Sequence, residues 1–309
     1  MRKHPPAKSP NSFLQGQELQ VFASYISSYI GSLRHSRIQL TELTTRYIEG
    51  GKGTPILFLH GFGVNKSYFR SLMKSFAGQG YRVIAPEVPG LYPEVRLPRA
   101  KHNLRNMSLW LEEFIDALQL EDFILLGSSL GASLAAYYSE QHSDQIRKLI
   151  LLSLPQTFNE KGDSLKTVIL DKLSNVRTLE DLDVTVSHCF YHPPHVPAVV
   201  KKRIFNDIHK NQDFIVSLLT DIGESQAQLS CKMGRISAPT LLISGEDDPV
   251  CPADFSEFLE NQMQRAELHI LAKSKHLTFI ERHRLVLKII EEFLEEPLPK
   301  QLPGTQETG

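Results

Sequence analysis

The sequence predicts an α/β fold: a mostly parallel twisted sheet with helices on both faces and an inserted helical cap. Three observations carry that expectation. Short apolar runs, ILFL at 56–59, FILL at 123–126 and IRKLILLSL at 146–154, read as strands buried on both faces. Segments of helical period lie between them, as crossovers between parallel strands require. The rhythm then breaks after Pro155, where residues 156–235 are mostly helical, polar and irregular, and strand signals resume at 238.

The elements follow in order. Residues 1–15 begin MRKHPPAKSP; Arg2 and Lys3 are followed by prolines instead of an apolar stretch, so the segment reads as a disordered arm and not as a signal. Over 17–33, Leu19, Phe22, Ile26, Tyr29, Ile30 and Leu33 share one helical face. That helix packs on the domain, or it lies in a membrane interface; a polar face without Lys or Arg favours packing. Residues 1–36 are therefore an arm and an amphipathic helix. From Arg37, RIQLTEL and TTRYIEGG alternate like exposed antiparallel strands, closed by a turn at Gly50, Gly51 and Gly53. A buried strand at 54–61, a helix at 66–77 and a strand at 81–90 come next. A helix at 104–119, a strand at 123–129, a helix at 130–141 and a strand at 146–154 continue the alternation. After the cap, strands at 238–248 and 266–275 and an amphipathic helix at 281–295 complete a core built from 37–155 and 236–296. Residues 297–309, PLPKQLPGTQETG, read as a disordered tail.

Composition narrows the function. Lys plus Arg number 34 and Asp plus Glu 35, so a net charge of −1 gives no overall electrostatic basis for binding nucleic acid. Three cysteines, Cys189, Cys231 and Cys251, make neither a disulfide framework nor a CxxC pair, which favours a reducing, cytoplasmic compartment. No uninterrupted apolar run reaches the roughly 18 residues of a spanning helix, leaving peripheral contact as the expected form of any membrane association.

The chemistry gathers around Gly127-Ser128-Ser129-Leu130-Gly131, a G-x-S-x-G string placed between an apolar strand and the helix LGASLAAYYSEQ. A nucleophile elbow needs that placement, because the turn is so tight that residues two before and two after the serine must be small. Gly127 and Gly131 meet the condition for Ser129. For Ser128 the same positions are Leu126 and Leu130, so Ser129 is the candidate nucleophile. The glycine-rich loop His60-Gly61-Phe62-Gly63 follows the strand ILFL, and the Phe62 and Leu130 N–H groups are the candidate oxyanion hole. His60 reads as a structural residue holding that loop.

A serine needs a base. Where an elbow of this type is used, the chain order is nucleophile, acid, histidine, which leaves His269, His276 and His283. His269 sits in the strand ELHIL and His283 in the final helix; His276 lies in the loop between them and is the candidate base. The acid is sought after the strand APTLLIS, in Gly245-Glu246-Asp247-Asp248-Pro249. Asp248 is assigned the orienting role, with Asp247 as the alternative. His188, His192 and His195 have a spacing that suggests metal, but prolines 193, 194 and 197 break the helix that would align them, and no carboxylate or thiolate set completes a site. They read as cap surface, as do Lys201, Lys202 and Arg203.

Together, GSSLG, HGFG, VPG at 88–90, GEDDP and KHLTFIER, in that order and spacing, resemble the α/β-hydrolase fold serine hydrolases over about residues 40–296. The stretch CFYHPPHVPAVVKKRIF at 189–205 resembles the cap of the monoacylglycerol lipase and esterase-type members. Lys275 stands where the family usually has Gly, and Ala132 where many members have a second Gly. The resemblance implies cleavage of a carboxylic ester of a lipid-like or small acyl substrate, through an acyl-enzyme on Ser129, with Asp248 and His276 completing the triad. The chemistry calls for no metal and no organic cofactor, and the expected partner is a small-molecule ester. Serine at the elbow argues against dehalogenase or epoxide hydrolase chemistry. Thioesterases and carbon–carbon bond hydrolases share the triad, and a non-catalytic scaffold binding a protein is the alternative of another class. Among apolar cap residues, Phe190 and Phe214 are the candidates for lining an acyl pocket.

Overall fold

A computed structural model describes residues 33–91, 95–97, 102–156, 175–230 and 232–297. The predicted N-terminal helix at 17–33, but for Leu33, the arm before it, Cys231 and the tail beyond 297 lie outside these residues, as does 157–174 of the insertion.

Eight strands form one sheet in the order β1-β2-β4-β3-β5-β6-β7-β8. They are β1 (Arg34–Gln39), β2 (Thr44–Gly50), β3 (Pro55–Leu59), β4 (Arg82–Pro86), β5 (Phe123–Ser128), β6 (Ile146–Leu152), β7 (Thr240–Gly245) and β8 (Ala266–Leu271). β2 runs antiparallel to both of its neighbours, and every pairing from β4 to β8 is parallel. The edge strand begins at Arg34, inside the segment assigned above to the N-terminal arm. Its charged and polar sequence RHSRIQ is mostly solvent-exposed, so it carries little apolar signal. Leu33, read as the last residue of the amphipathic helix, is instead buried beneath the sheet and outside any helix.

The apolar runs have two buried faces because helices cover both. Alternate side chains of one strand point to opposite sides. Leu57, Leu59, Leu125, Leu149, Leu151 and Leu242 pack with α2 (Leu104–Ala117), α3 (Leu130–Gln141) and α7 (Ala253–Gln262). Ile56, Phe58, Ile124, Leu126, Ile150, Leu152 and Ile243 pack with α1 (Arg70–Gly78) and α9 (His283–Glu295) on the opposite face. The single helix expected at 281–295 is interrupted at Arg282, with a short α8 (Thr278–Glu281) before α9.

β6 and β7 are neighbours in the sheet although the chain between them is long. That insertion contains α4 (Leu179–Cys189), α5 (Ala198–Lys210) and α6 (Gln212–Ser230). Thr178 and Asp181 close a reciprocal cap at the start of α4. α6 belongs to the main core, since Ile215, Leu218, Leu219 and Ile222 are buried with residues of α2 and α3. α5 has no buried residue. No helix among the described residues is long and apolar enough to cross a membrane.

A charged residue is buried inside the apolar strand β6. Lys148 of β6 is buried, and burial lowers its pKa. Its ammonium donates to the main-chain carbonyls of Phe293, of Leu294 at 3.4 Å and of Glu296 at 2.7 Å, and lies 4.7 Å from the Phe293 ring centre. These are carbonyls left unpaired at the C-terminal end of α9, where a cation is favoured.

Strand order reverses direction at β3, which lies between β4 and β5. The crevice beyond the strand C-termini at such a reversal is where open α/β sheets bind ligands. The loop after β3 and the turn after β5 both open there.

Candidate active site

Ser129 occupies the turn between β5 and α3 with φ 54° and ψ −127°, a conformation that a residue with a side chain rarely adopts. Such a conformation costs on the order of 1–3 kcal/mol and persists only where the surroundings enforce it. Here they do. The Ser129 N–H donates to the Leu152 carbonyl at 2.9 Å. A Cβ on Gly127 would lie 2.3 Å from the Gly131 carbonyl oxygen, and a Cβ on Gly131 would lie 2.1 Å from that of Leu59. The small-residue rule inferred from the sequence is thus a backbone contact among β5, α3 and β3.

A chain of hydrogen bonds leads away from this serine. Ser129 Oγ is 2.7 Å from His276 Nε2, and His276 Nδ1 is 2.9 Å from Asp248 Oδ2. All three side chains are buried. A carboxylate only accepts, so Nδ1 carries the ring proton and Nε2 is left to accept from the serine hydroxyl. Asp248 Oδ1 accepts from the Val250 and Cys251 amides at 2.8 and 3.1 Å, which fixes the carboxylate plane. These two amides were not anticipated, although an aspartate accepting from the N–H two residues on is an ordinary turn signature. Asp247 and Glu246 are exposed. His269 pairs with Glu267 at 2.5 Å, and His283 lies 2.9 Å from Ser71 Oγ; neither joins the chain.

The loop bearing His276 approaches the end of β7 backbone to backbone. A Cβ on Gly245 would fall 2.4 Å from the Ser274 carbonyl oxygen and 2.5 Å from that of Lys275, and the Asp247 N–H donates to Ser274 O at 3.1 Å. Gly245→Ala is therefore expected to push the two loops apart and to cost about 1–3 kcal/mol of stability, the usual range for overpacking. An unchanged midpoint in equilibrium urea unfolding would show that the loop accommodates the methyl group.

On the other side of Ser129 lies the His60–Gly63 loop. A Cβ on Gly61 would come within 2.9 Å of Ser129 Cβ, so the loop backbone at Gly61, one residue before Phe62, lies against the serine. Leu130 opens α3, so its N–H has no acceptor within the helix, and the positive end of the helix dipole faces the same place. His60 is fully buried. Its Nδ1–H donates to Gly61 O at 2.9 Å and its Nε2 accepts from the Val88 N–H at 2.9 Å, tying the loops after β3 and β4 together. Burial lowers its pKa, so it stays neutral in this bracing role.

Phe190 is the half-buried residue after α4. Phe214 on α6 packs against the main cluster, with the His102 ring edge-on at 5.0 Å and the Arg96 guanidinium 3.8 Å from its centre. Cys189 and Cys251 have their thiols pushed up to about 12 by burial and then by Asp248, which leaves both protonated and unreactive. Among the described residues, no group of three or more His, Cys, Asp or Glu could hold a metal ion.

Residues 54–283 match the family model of the alpha/beta hydrolase fold. The chain belongs to the α/β hydrolase fold family. Within it, the AB hydrolase superfamily protein YisY of Bacillus subtilis is 28% identical over 268 residues, 83% of this chain and 97% of that protein. Monoacylglycerol lipase abhd6-A of Xenopus laevis is 25% identical over 269 residues, 81% of this chain and 78% of its own. The crystal structure of a membrane phospholipase A, a bacterial virulence factor, superposes with a TM-score of 0.77 over 90% of this chain and 91% of that one, at 23% identity. That last likeness is one of fold.

Proposed function

We propose that this α/β hydrolase is a serine esterase acting on a lipid-like or small acyl ester. The observation that carries the reading is the buried hydrogen-bond chain Asp248–His276–Ser129 ending on a strained elbow. His276 Nε2 takes the Ser129 proton as Oγ adds to the ester carbonyl. The Phe62 and Leu130 N–H groups stabilise the oxyanion, and Asp248 holds the imidazolium. His276 then returns the proton to the departing alcohol, leaving an acyl group on Ser129. Water, activated by the same imidazole, releases the acid. The lipid-like substrate is supported by the apolar residues that the insertion packs on the main core, Phe214 among them, and by the monoacylglycerol lipase among its relatives. A scaffold without catalysis has no need to keep Ser129 strained and bonded to a base.

Labelling with a fluorophosphonate, followed by a panel of monoacyl esters, thioesters and vinylogous diketones, tests the reading. Ester turnover with a label on Ser129 supports it. Label without ester turnover moves the substrate to another class, and no label at all sinks the serine mechanism.

Phe190 and Phe214 are assigned to the acyl pocket. Phe190→Ala and Phe214→Ala are expected to shift the ratio of kcat/KM between long and short acyl esters by about tenfold, the scale on which a hydrophobic pocket discriminates chain length. A length profile unchanged in both folded variants removes them from the pocket.

A further inference from the structure

The loop carrying His276 is bonded on both sides of the histidine to the insertion, and Glu281 is the centre of that junction. Glu281 Oε2 accepts from the Lys275 N–H at 2.9 Å. Its other oxygen, Oε1, accepts from the Tyr191 and His192 N–H groups at 2.7 and 3.0 Å. One carboxylate thus holds the residue before the base and two residues of the insertion. Lys275 adds a second bond, its ammonium donating to the Ser187 carbonyl at 2.8 Å. On the far side of the histidine, the Leu277 N–H donates to the Cys189 carbonyl at 3.1 Å. Lys275, the departure from the family's usual glycine, is explained by this junction. It has no left-handed backbone that would call for glycine, and its side chain is used against the insertion.

We propose that Glu281 and Lys275 are positioning residues that lock segment 187–192 of the insertion to the loop bearing His276, so that the base is aligned only while the insertion is seated. The proposal rests on the serine esterase reading, because it concerns the alignment of that reading's base. Underneath, the same loop leans on Gly245 through the Ser274 and Lys275 carbonyls. His276 is therefore held between a fixed sheet end and the insertion. Displacing the insertion removes one of its two supports. A substrate that seats the insertion also completes the catalytic alignment, which ties turnover to occupancy of the acyl side of the site.

The test uses the full chain, with active sites counted by a fluorophosphonate and kcat expressed per labelled site for a short p-nitrophenyl ester. Glu281→Ala is expected to lower kcat by about 10–100-fold, the scale for a misplaced catalytic group, with the KM of the short ester near its wild-type value. Glu281→Gln keeps an oxygen for the 191 and 192 amides but turns an N–H toward the Lys275 amide, so it should fall between alanine and wild type. A residue that only supports the fold would lower Tm and leave kcat per labelled site unchanged. Hydrogen exchange gives the second readout. The Leu277 N–H donates to the Cys189 carbonyl and not to the Glu281 carboxylate, yet it should exchange faster in Glu281→Ala if the junction opens as a unit. Lys275→Met, which removes only the bond to Ser187, carries the test if Glu281→Ala does not fold. It should speed exchange over 187–192 and lower kcat by about 2–10-fold, the net worth of one hydrogen bond. Unchanged kcat per labelled site and unchanged exchange at Leu277, in the variants that fold, overturn the proposal. A wild-type chain that neither labels nor hydrolyses any ester overturns the esterase reading, and the positioning role falls with it.

Discussion

Ser129→Ala is expected to abolish ester hydrolysis, with a fall of about 10⁴–10⁶ in kcat. The substitution deletes only the hydroxyl that sits 2.7 Å from His276 Nε2. It keeps the Cβ and leaves the contacts of Gly127 and Gly131 as they are, so the elbow has no reason to relax. What remains is binding and the oxyanion hole, which by themselves still give slow turnover. Ser128 ends β5 and is equally buried, but the hydrogen-bond chain does not include it. Ser128→Ala should therefore be mild. Steady-state kinetics on both variants, with circular dichroism to verify folding, decides the matter; an active Ser129→Ala beside a dead Ser128→Ala would reverse the assignment.

Asp248→Asn is the second large effect, about 10⁴ in kcat at neutral pH. Its cause is a proton in the wrong place. Oδ1 already accepts from the Val250 and Cys251 amides, so the asparagine oxygen is held on that side. The new NH₂ then faces His276 Nδ1 and makes it an acceptor. Nε2 must carry the proton instead, and it can no longer take one from Ser129. Size and position are almost unchanged, so Tm should move little while kcat collapses. Asp247→Asn, at an exposed position with the same chemistry, should be close to wild type. Comparable losses in the two variants would mean that local charge, and not the tautomer, sets the rate.

Much of this arrangement was legible before any coordinates. Buried strands announce themselves because both faces must be apolar, and the elbow does so because its turn admits only small residues. What escaped reading has a physical reason in each case. Helix α7 went unseen because its ten residues carry few apolar positions, with Phe255, Phe258 and Leu259 against five acidic or amide side chains. β1 was drawn three residues short because an exposed edge strand has no buried side to betray it. Lys275 looked like a mere departure because its partner, Ser187, lies 88 residues away along the chain. Glu281 read as an ordinary helix residue for the same reason: its acceptor role is to amides of residues 191 and 192, which no local pattern connects to it.

Lys148 bears on how the chain is made. Its ammonium is buried in the middle strands, and its acceptors are the carbonyls of residues 293, 294 and 296. During synthesis, β6 leaves the ribosome roughly 145 residues ahead of those carbonyls, the separation between Lys148 and Phe293. Through all of that interval, closing the sheet over Lys148 would strand a charge away from water, at a cost of several kcal/mol. Until α9 is in place, an ordered sheet must therefore leave the Lys148 ammonium open to water at this end of β6.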